Sequence, residues 1–312
     1  MNKQREESLS VKLSNVVFPN PLILPSGIAQ EIPSDHEKAI KAGAGGITLK
    51  SITILKRDGY PLPRIIKYDH GFLNAVGIRN PGINEAESQI RSFIQASSVP
   101  TIVSIFAENV KDFRYLSKQV ARLKPAFIEV NLSCPHLTSE YGLPLGTDPK
   151  SAGLAIFAVK EQVKGIPVIA KLTPNIPDIA SIAVLCEEAG ANAISAINTV
   201  GPGMVIDIKK GASTLGNLRG GISGPGIKPI AIRCVYDIYE AVSIPIIGMG
   251  GISAWEDVVE IMMAGATLVG IGSIVYTKGY KIYREIKKNL VDYLDREKLG
   301  NIKNIVGLAH KS

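Results

Sequence analysis

The chain has 312 residues, 46% hydrophobic and 20% charged, a balance that fits a globular protein with a sizeable core and excludes a disordered or fibrous one. Its net charge is +7, but the basic residues are scattered and form no block interleaved with aromatics. That pattern argues against nucleic acid and for an anionic substrate or a phosphate. The opening residues MNKQREESLS lack the apolar stretch of a secretory signal, and no run approaches the ~18 apolar residues of a membrane helix. A cytoplasmic protein that is not attached to a membrane is therefore expected.

Short β-branched runs recur along the chain, each ended by Gly, Ser, Thr, Asn or Pro and followed by a helical pattern. In chain order the expected strands are PLILPSG (21–27), GGITLKS (45–51), TIVSIFA (101–107) and FIEVNLS (127–133). PVIAKLT (167–173), AISAINT (193–199), PIIGMGG (245–251) and LVGIGSI (268–274) follow. Helical spacing covers 85–97, 112–124, 178–190 and 227–242, and the basic run KIYREIKKNL (281–290) reads as the wet face of another helix. Repeated β-then-α units imply parallel strands with right-handed crossovers. Eight units over about 250 residues give the count and length of a closed (β/α)8 TIM barrel; a doubly wound open sheet is the competing arrangement. Segments 52–84 and 136–150 fall outside the rhythm and read as insertions at the carboxyl ends of the strands. No linker-like composition divides the chain, so 1–312 is expected to be a single domain.

A barrel directs the carboxyl ends of its strands at one site. Here those ends read Ser26-Gly27, Lys50-Ser51, Ser104, Asn131 to Cys134, Lys171, Asn198-Thr199, Gly250-Gly251 and Gly272-Ser273. Burying lysine in an apolar strand is costly unless an anion or acceptor meets it. Glycine turns after the seventh and eighth strands are where barrels hold a phosphate on backbone N–H groups. Cys134 ends an apolar run beside a proline, which suits a reactive thiol better than an inert one, whereas Cys186 and Cys234 lie inside helical patterns. No His, Cys or carboxylate spacing suggests a metal. With His136 two residues away, the chemistry leaves open whether Cys134 is a nucleophile or a base.

The ordered set NPLILPSG, GGITLKSIT, PRI before GFLNAVGIRNPG, FIEVNLSCP, IAKLTPN, AINT, GGISGPGIKPIAIR, PIIGMGGI and NIVGLAHK resembles a class 1 dihydroorotate dehydrogenase, nearly end to end. It is most similar to the type that works with an electron-transfer partner subunit. The resemblance implies FMN across the barrel mouth, its phosphate on Gly250, Gly251, Gly272 and Ser273. Lys50 and Lys171 then lie beside the flavin ring. Ser26, Gly27, Ser51, Asn131, Thr199 and Gly221 are further implied flavin contacts. Asn74, Gly77, Asn131, His136, Asn198 and Thr199 are implied substrate contacts, with Lys50 near the substrate carboxylate. Cys134 is implied as the base that removes the C5 proton of dihydroorotate, while hydride leaves C6 for FMN. The proline after it turns the chain into a lid.

Two positions depart from that family. His136 and Ser104 stand where it usually has Asn, and both resemble the pyrimidine-reducing domain of dihydropyrimidine dehydrogenase, which makes reduction of uracil or thymine the alternative activity. With no CxxC cluster and no Rossmann unit, FAD and a [2Fe-2S] cluster are expected only on a partner subunit, in an assembly with a homodimer core or a heterotetramer.

Overall fold

The computed structural model describes residues 7–29, 32–133 and 146–311. Cys134 and His136 lie outside the described residues, as does most of the expected lid 136–150.

Sixteen strands are described. In chain order, β1 (Val11–Leu13), β2 (Val16–Phe18), β3 (Leu22–Leu24) and β4 (Gly46–Ile52) come first. β5 (Ile65–Tyr68) and β6 (Gly71–Asn74) precede β7 (Thr101–Ile105), β8 (Phe127–Asn131), β9 (Val168–Lys171) and β10 (Ala193–Ala196). β11 (Val200–Gly203), β12 (Ile206–Asp207), β13 (Ala212–Ser213) and β14 (Gly220–Ser223) lead to β15 (Ile246–Met249) and β16 (Ala266–Gly270). Eight of them close a parallel barrel in the order β3-β4-β7-β8-β9-β10-β15-β16, with β16 pairing back onto β3. These are the eight strands expected from the apolar runs, and the open doubly wound sheet is excluded.

Strands buried on both faces need near-continuous apolar runs rather than alternation, and that is what β3, β7 and β10 show: every residue in them is buried. The intervening helices cover the barrel with one apolar face each. Helix Val110–Ala121 buries Phe113, Leu116, Ser117 and Val120, the i, i+3, i+4, i+7 stripe of a helix lying on a sheet, and Asn109 caps it by accepting from Asp112 N. Helix Lys228–Ala241 buries Ala231, Cys234, Val235 and Ile238 in the same way. At the amino ends of the strands the β1–β2 hairpin closes the barrel floor, with Phe18 and Phe127 fully buried and their ring centroids 6.1 Å apart.

The two chain segments after β4 and β10 are not loops. They fold together into a four-stranded antiparallel sheet, β11-β14-β6-β5, which pairs Gly221 with Asn74. Leu73, Ala75 and Leu215 give it a small core of its own, separate from that of the barrel. Residues separated by about 150 positions thus become neighbours at one rim.

Candidate active site

A cavity of about 1110 Å³ opens at the carboxyl ends of the barrel strands, under the antiparallel sheet. Ser26, Gly27, Lys50 and Ser51 reach it from β3 and β4, and Asn131 and Lys171 from β8 and β9. Asn198, Thr199 and Gly221 come from the chain after β10, and Asn74 and Gly77 from the far side of the rim. Gly250, Gly251, Gly272 and Ser273 follow β15 and β16. Every expected site residue that is described therefore lines one cavity. Ser104 differs. It is fully buried behind the wall and meets the cavity through Ser51, whose Oγ lies 2.9 Å from its own.

That contact is one link of a polar chain across the barrel mouth. Ser51 N donates to Ser26 Oγ at 3.1 Å, and Asn131 Nδ2 donates to Ser51 Oγ at 3.1 Å. Asn131 Oδ1 accepts from Ser133 N at 3.2 Å and from Ser133 Oγ at 2.5 Å. Asn198 Nδ2 donates to Ser133 Oγ, while its Oδ1 accepts from Thr199 N at 2.8 Å. Opposite, Asn74 Nδ2 donates to Gly221 O at 3.2 Å across the β6–β14 pair. Each amide has two donor hydrogens and a two-lone-pair oxygen, so these bonds fix the orientation and leave capacity for a planar ligand with its own N–H and C=O groups. Gly221 is required here by space: a Cβ would lie 2.0 Å from Thr199 Oγ1.

The two lysines are held differently. Lys50 is pushed down to about 8, first by burial and then by the charge of Arg79, so an anion in the cavity would favour its charged form. Lys171 is buried, and its Nζ lies 4.0 Å from Glu129 Oε1, a carboxylate with 2% side-chain exposure. The barrel itself stacks these groups. Asn131, Lys171 and Ser195 pair across β8, β9 and β10, and Glu129 sits one inward position deeper on β8, paired with Ile169.

The turns after β15 and β16 form the remaining wall. Among the described residues the backbone N–H groups of Gly250, Gly251, Gly272 and Ser273 meet no protein acceptor. Gly251 has φ +80°, and a Cβ on it would lie 2.7 Å from Lys228 Cα. Asp257 holds this turn in shape by accepting from Ser253 N and Oγ, both at 2.8 Å, and from Ala254 N at 3.0 Å. Lys228 Nζ meets Asp257 and Glu260 at 2.8 Å each, and those bonds hold the lysine well above its usual range. Unpaired N–H groups on a glycine turn suit a phosphate, the group expected there.

Several groups at the site escaped the sequence reading. Glu129 lies in an apolar run, where its position reads simply as strand. Arg57, Asp58, Tyr60 and Glu108 line the mouth, with Arg57 and Glu108 paired at 2.6 Å. The Ser253…Asp257 spacing before an apolar helix was the one available signal for the clamp on the glycine turn. Cys186 and Cys234 are buried in helices, and burial raises both thiols, Cys186 to about 12, as expected for inert cysteines. Among the described residues no group of His, Cys, Asp or Glu comes together to hold a metal, and no helix is long and apolar enough to cross a membrane.

Comparison with known proteins bears out the fold and gives the family. The chain is similar to a solved structure of "DHODH" from Eimeria tenella in complex with ferulenol, with a TM-score of 0.85 over 100% of this chain and 91% of that one; at 22% identity the likeness speaks for the fold. It is 44% identical over 308 residues to the "Dihydroorotate dehydrogenase B (NAD(+)), catalytic subunit" of Pyrococcus furiosus, covering 97% of this chain and 99% of that protein. The protein of the same description from Methanosarcina mazei is 40% identical over 309 residues, covering 99% and 97%. The profile of the family "Dihydroorotate dehydrogenase" matches residues 8–294. The chain belongs to the dihydroorotate dehydrogenase family, oxidoreductases of pyrimidine biosynthesis.

Proposed function

We propose that the protein oxidises dihydroorotate to orotate with FMN at the barrel mouth, and passes the electrons to NAD through a partner subunit carrying FAD and a [2Fe-2S] cluster. The observation that carries the FMN reading is the wall after β15 and β16: among the described residues, four backbone N–H groups without protein acceptors on two turns, the first of which tolerates no Cβ at Gly251. Lys50, Lys171, Ser51 and Asn131 would flank the ring, and Ser26, Gly27, Thr199 and Gly221 its remaining contacts. When bound, the flavin takes up the hydride that leaves C6 of the substrate. Asn74, Asn131 and Asn198 orient the pyrimidine ring, with Gly77 and Thr199 beside it. Lys50 faces the carboxylate, a group that dihydrouracil lacks, and this favours dihydroorotate over the uracil alternative. Cys134 takes the C5 proton, and His136 lies close in sequence to the same base. The partner reading rests on the catalytic-subunit description of the similar proteins.

The test is a substrate panel on the purified protein. Dihydroorotate should bleach the flavin and dihydrouracil should not, and the pure chain should reduce artificial acceptors but not NAD. Cys134→Ala should remain yellow and folded yet lose about a hundredfold or more in turnover, since general base catalysis is worth ~10²–10⁴. A His136→Ala variant that loses proton abstraction while Cys134→Ala barely slows would transfer the base to the imidazole. A colourless protein with no affinity for FMN sinks the whole reading.

A further inference from the structure

We infer that Glu129 is a positioning residue: its carboxylate, one layer below the mouth, holds the Lys171 ammonium fixed against the flavin ring. The inference rests on the FMN reading above. Glu129 is 2% exposed and sits among Phe127, Ile128 and Val130, all fully buried. Its Oε1 has no hydrogen-bond partner, and Lys171 Nζ, at 4.0 Å, is the cation it faces among the described residues. Lys171 in turn is 5% exposed and lines the cavity, whereas Glu129 does not. A buried ion pair with one unbonded oxygen is a poor device for stability, because apolar residues of the same size would serve a barrel core as well or better. What the carboxylate supplies is a charge at one place. Without it, the buried ammonium would lack that counter-charge and its Nζ would swing toward water, and the ring would lose a fixed cation. Glu129 has no path to the ligand of its own, so its influence should pass through Lys171.

The test compares the affinity of the apoprotein for oxidised FMN with that for dithionite-reduced FMN, by fluorescence titration, in four proteins. In the parent protein the lysine favours the reduced, more negative form. Glu129→Gln should lose about tenfold of that preference, which is ~30 mV for a two-electron couple, while affinity for oxidised FMN changes by less than about threefold. Glu129→Gln/Lys171→Met should fall within about twofold of the single variant, because the lysine's effect is already gone. Glu129→Asp, which keeps the charge balance and so the fold, should lie between parent and Glu129→Gln. An unchanged preference in Glu129→Gln and Glu129→Asp, with only the melting temperature reduced, would make the residue structural and overturn the inference. A preference that grows stronger in Glu129→Gln would also overturn it, since the carboxylate would then act on the ring directly. Failure of the parent protein to bind FMN is read separately in the same titration and would fell the cofactor reading first.

Discussion

Lys50, two residues before the end of β4, and Lys171, the last residue of β9, are both directed into one cavity, and yet the fold treats them in opposite ways. Lys171 has a carboxylate beneath it. Lys50 has a second cation, Arg79, near it and is held at about 8. A strand end that supplies its own counter-charge holds its ammonium in one place regardless of what is bound. One that withholds it builds a cation that is satisfied only when an anion arrives. The first arrangement suits a permanent field on a cofactor and the second suits recognition of a substrate carboxylate.

The sharpest way to break this contrast is to make the same substitution at both positions. Lys171→Met would leave Glu129 buried without its cation, and the apoprotein should lose about 3–5 kcal/mol of stability, the usual cost of removing one member of a buried pair. Lys50→Met should act in the other direction. The folded pKa of Lys50 lies below its ordinary value, so at neutral pH, where folded and unfolded chains both hold the proton, folding carries the whole cost of burying the charge; the unfolded chain binds extra proton only between about 8 and 10.5. Removing that lysine should stabilise the apoprotein by an amount on the order of 1–3 kcal/mol at pH 7, and the gain should shrink as pH rises from about 8 toward 10.5. Urea melts of the two variants at pH 7 and pH 9.5 check both signs. Equal losses at the two positions would end the distinction.

Lys50→Ala should also lower kcat/KM for dihydroorotate by roughly a hundredfold, as expected for a lost charge-assisted hydrogen bond to a carboxylate, with the affinity for FMN falling far less. A smaller effect follows from the same depressed value. At pH 8 about half of the free sites should lack the Lys50 proton, so binding of orotate should take up a fraction of a proton. Calorimetric titration in buffers of different ionisation enthalpy measures it, and uptake should fade below pH 7. No uptake at pH 8 would mean that Lys50 does not face the anion.

The contrast also marks how far the sequence could be read. The eight barrel strands were legible because burial on both faces demands continuous β-branched runs, and the cavity residues because polar groups ending such runs have nothing to do in a core. The sheet β11-β14-β6-β5 was not legible. Its strands read VGPG, GGIS, GFLN and IIKY, mostly glycine-rich and too short for a period to show, and their pairing depends on a contact across 147 positions between Asn74 and Gly221. Glu129 was hidden for a related reason. A carboxylate inside FIEVN gives no sign in one dimension that β9 will place an ammonium above it. Arg79, which separates the behaviour of Lys50 from that of Lys171, lies 29 positions away from Lys50 and had no motif to flag it.

The smallest expected effect concerns Ser104, one of the two departures from the family pattern. It is fully buried and touches the site through Ser51 Oγ at 2.9 Å, while Ser51 keeps contacts with Ser26 and Asn131. Ser104→Ala removes one neutral hydrogen bond from a chain that has others, so about 1 kcal/mol of stability should be lost and FMN affinity should fall no more than a few-fold. Because Ser104 lies behind the wall rather than on it, the ratio of kcat/KM for dihydroorotate to that for dihydrouracil should not move. Were Ser104→Ala to raise activity on dihydrouracil by tenfold or more, the serine would be shaping the pyrimidine subsite through Ser51 and Asn131. Substrate choice would then be shared between the polar chain and Lys50, instead of resting on the lysine that waits for an anion.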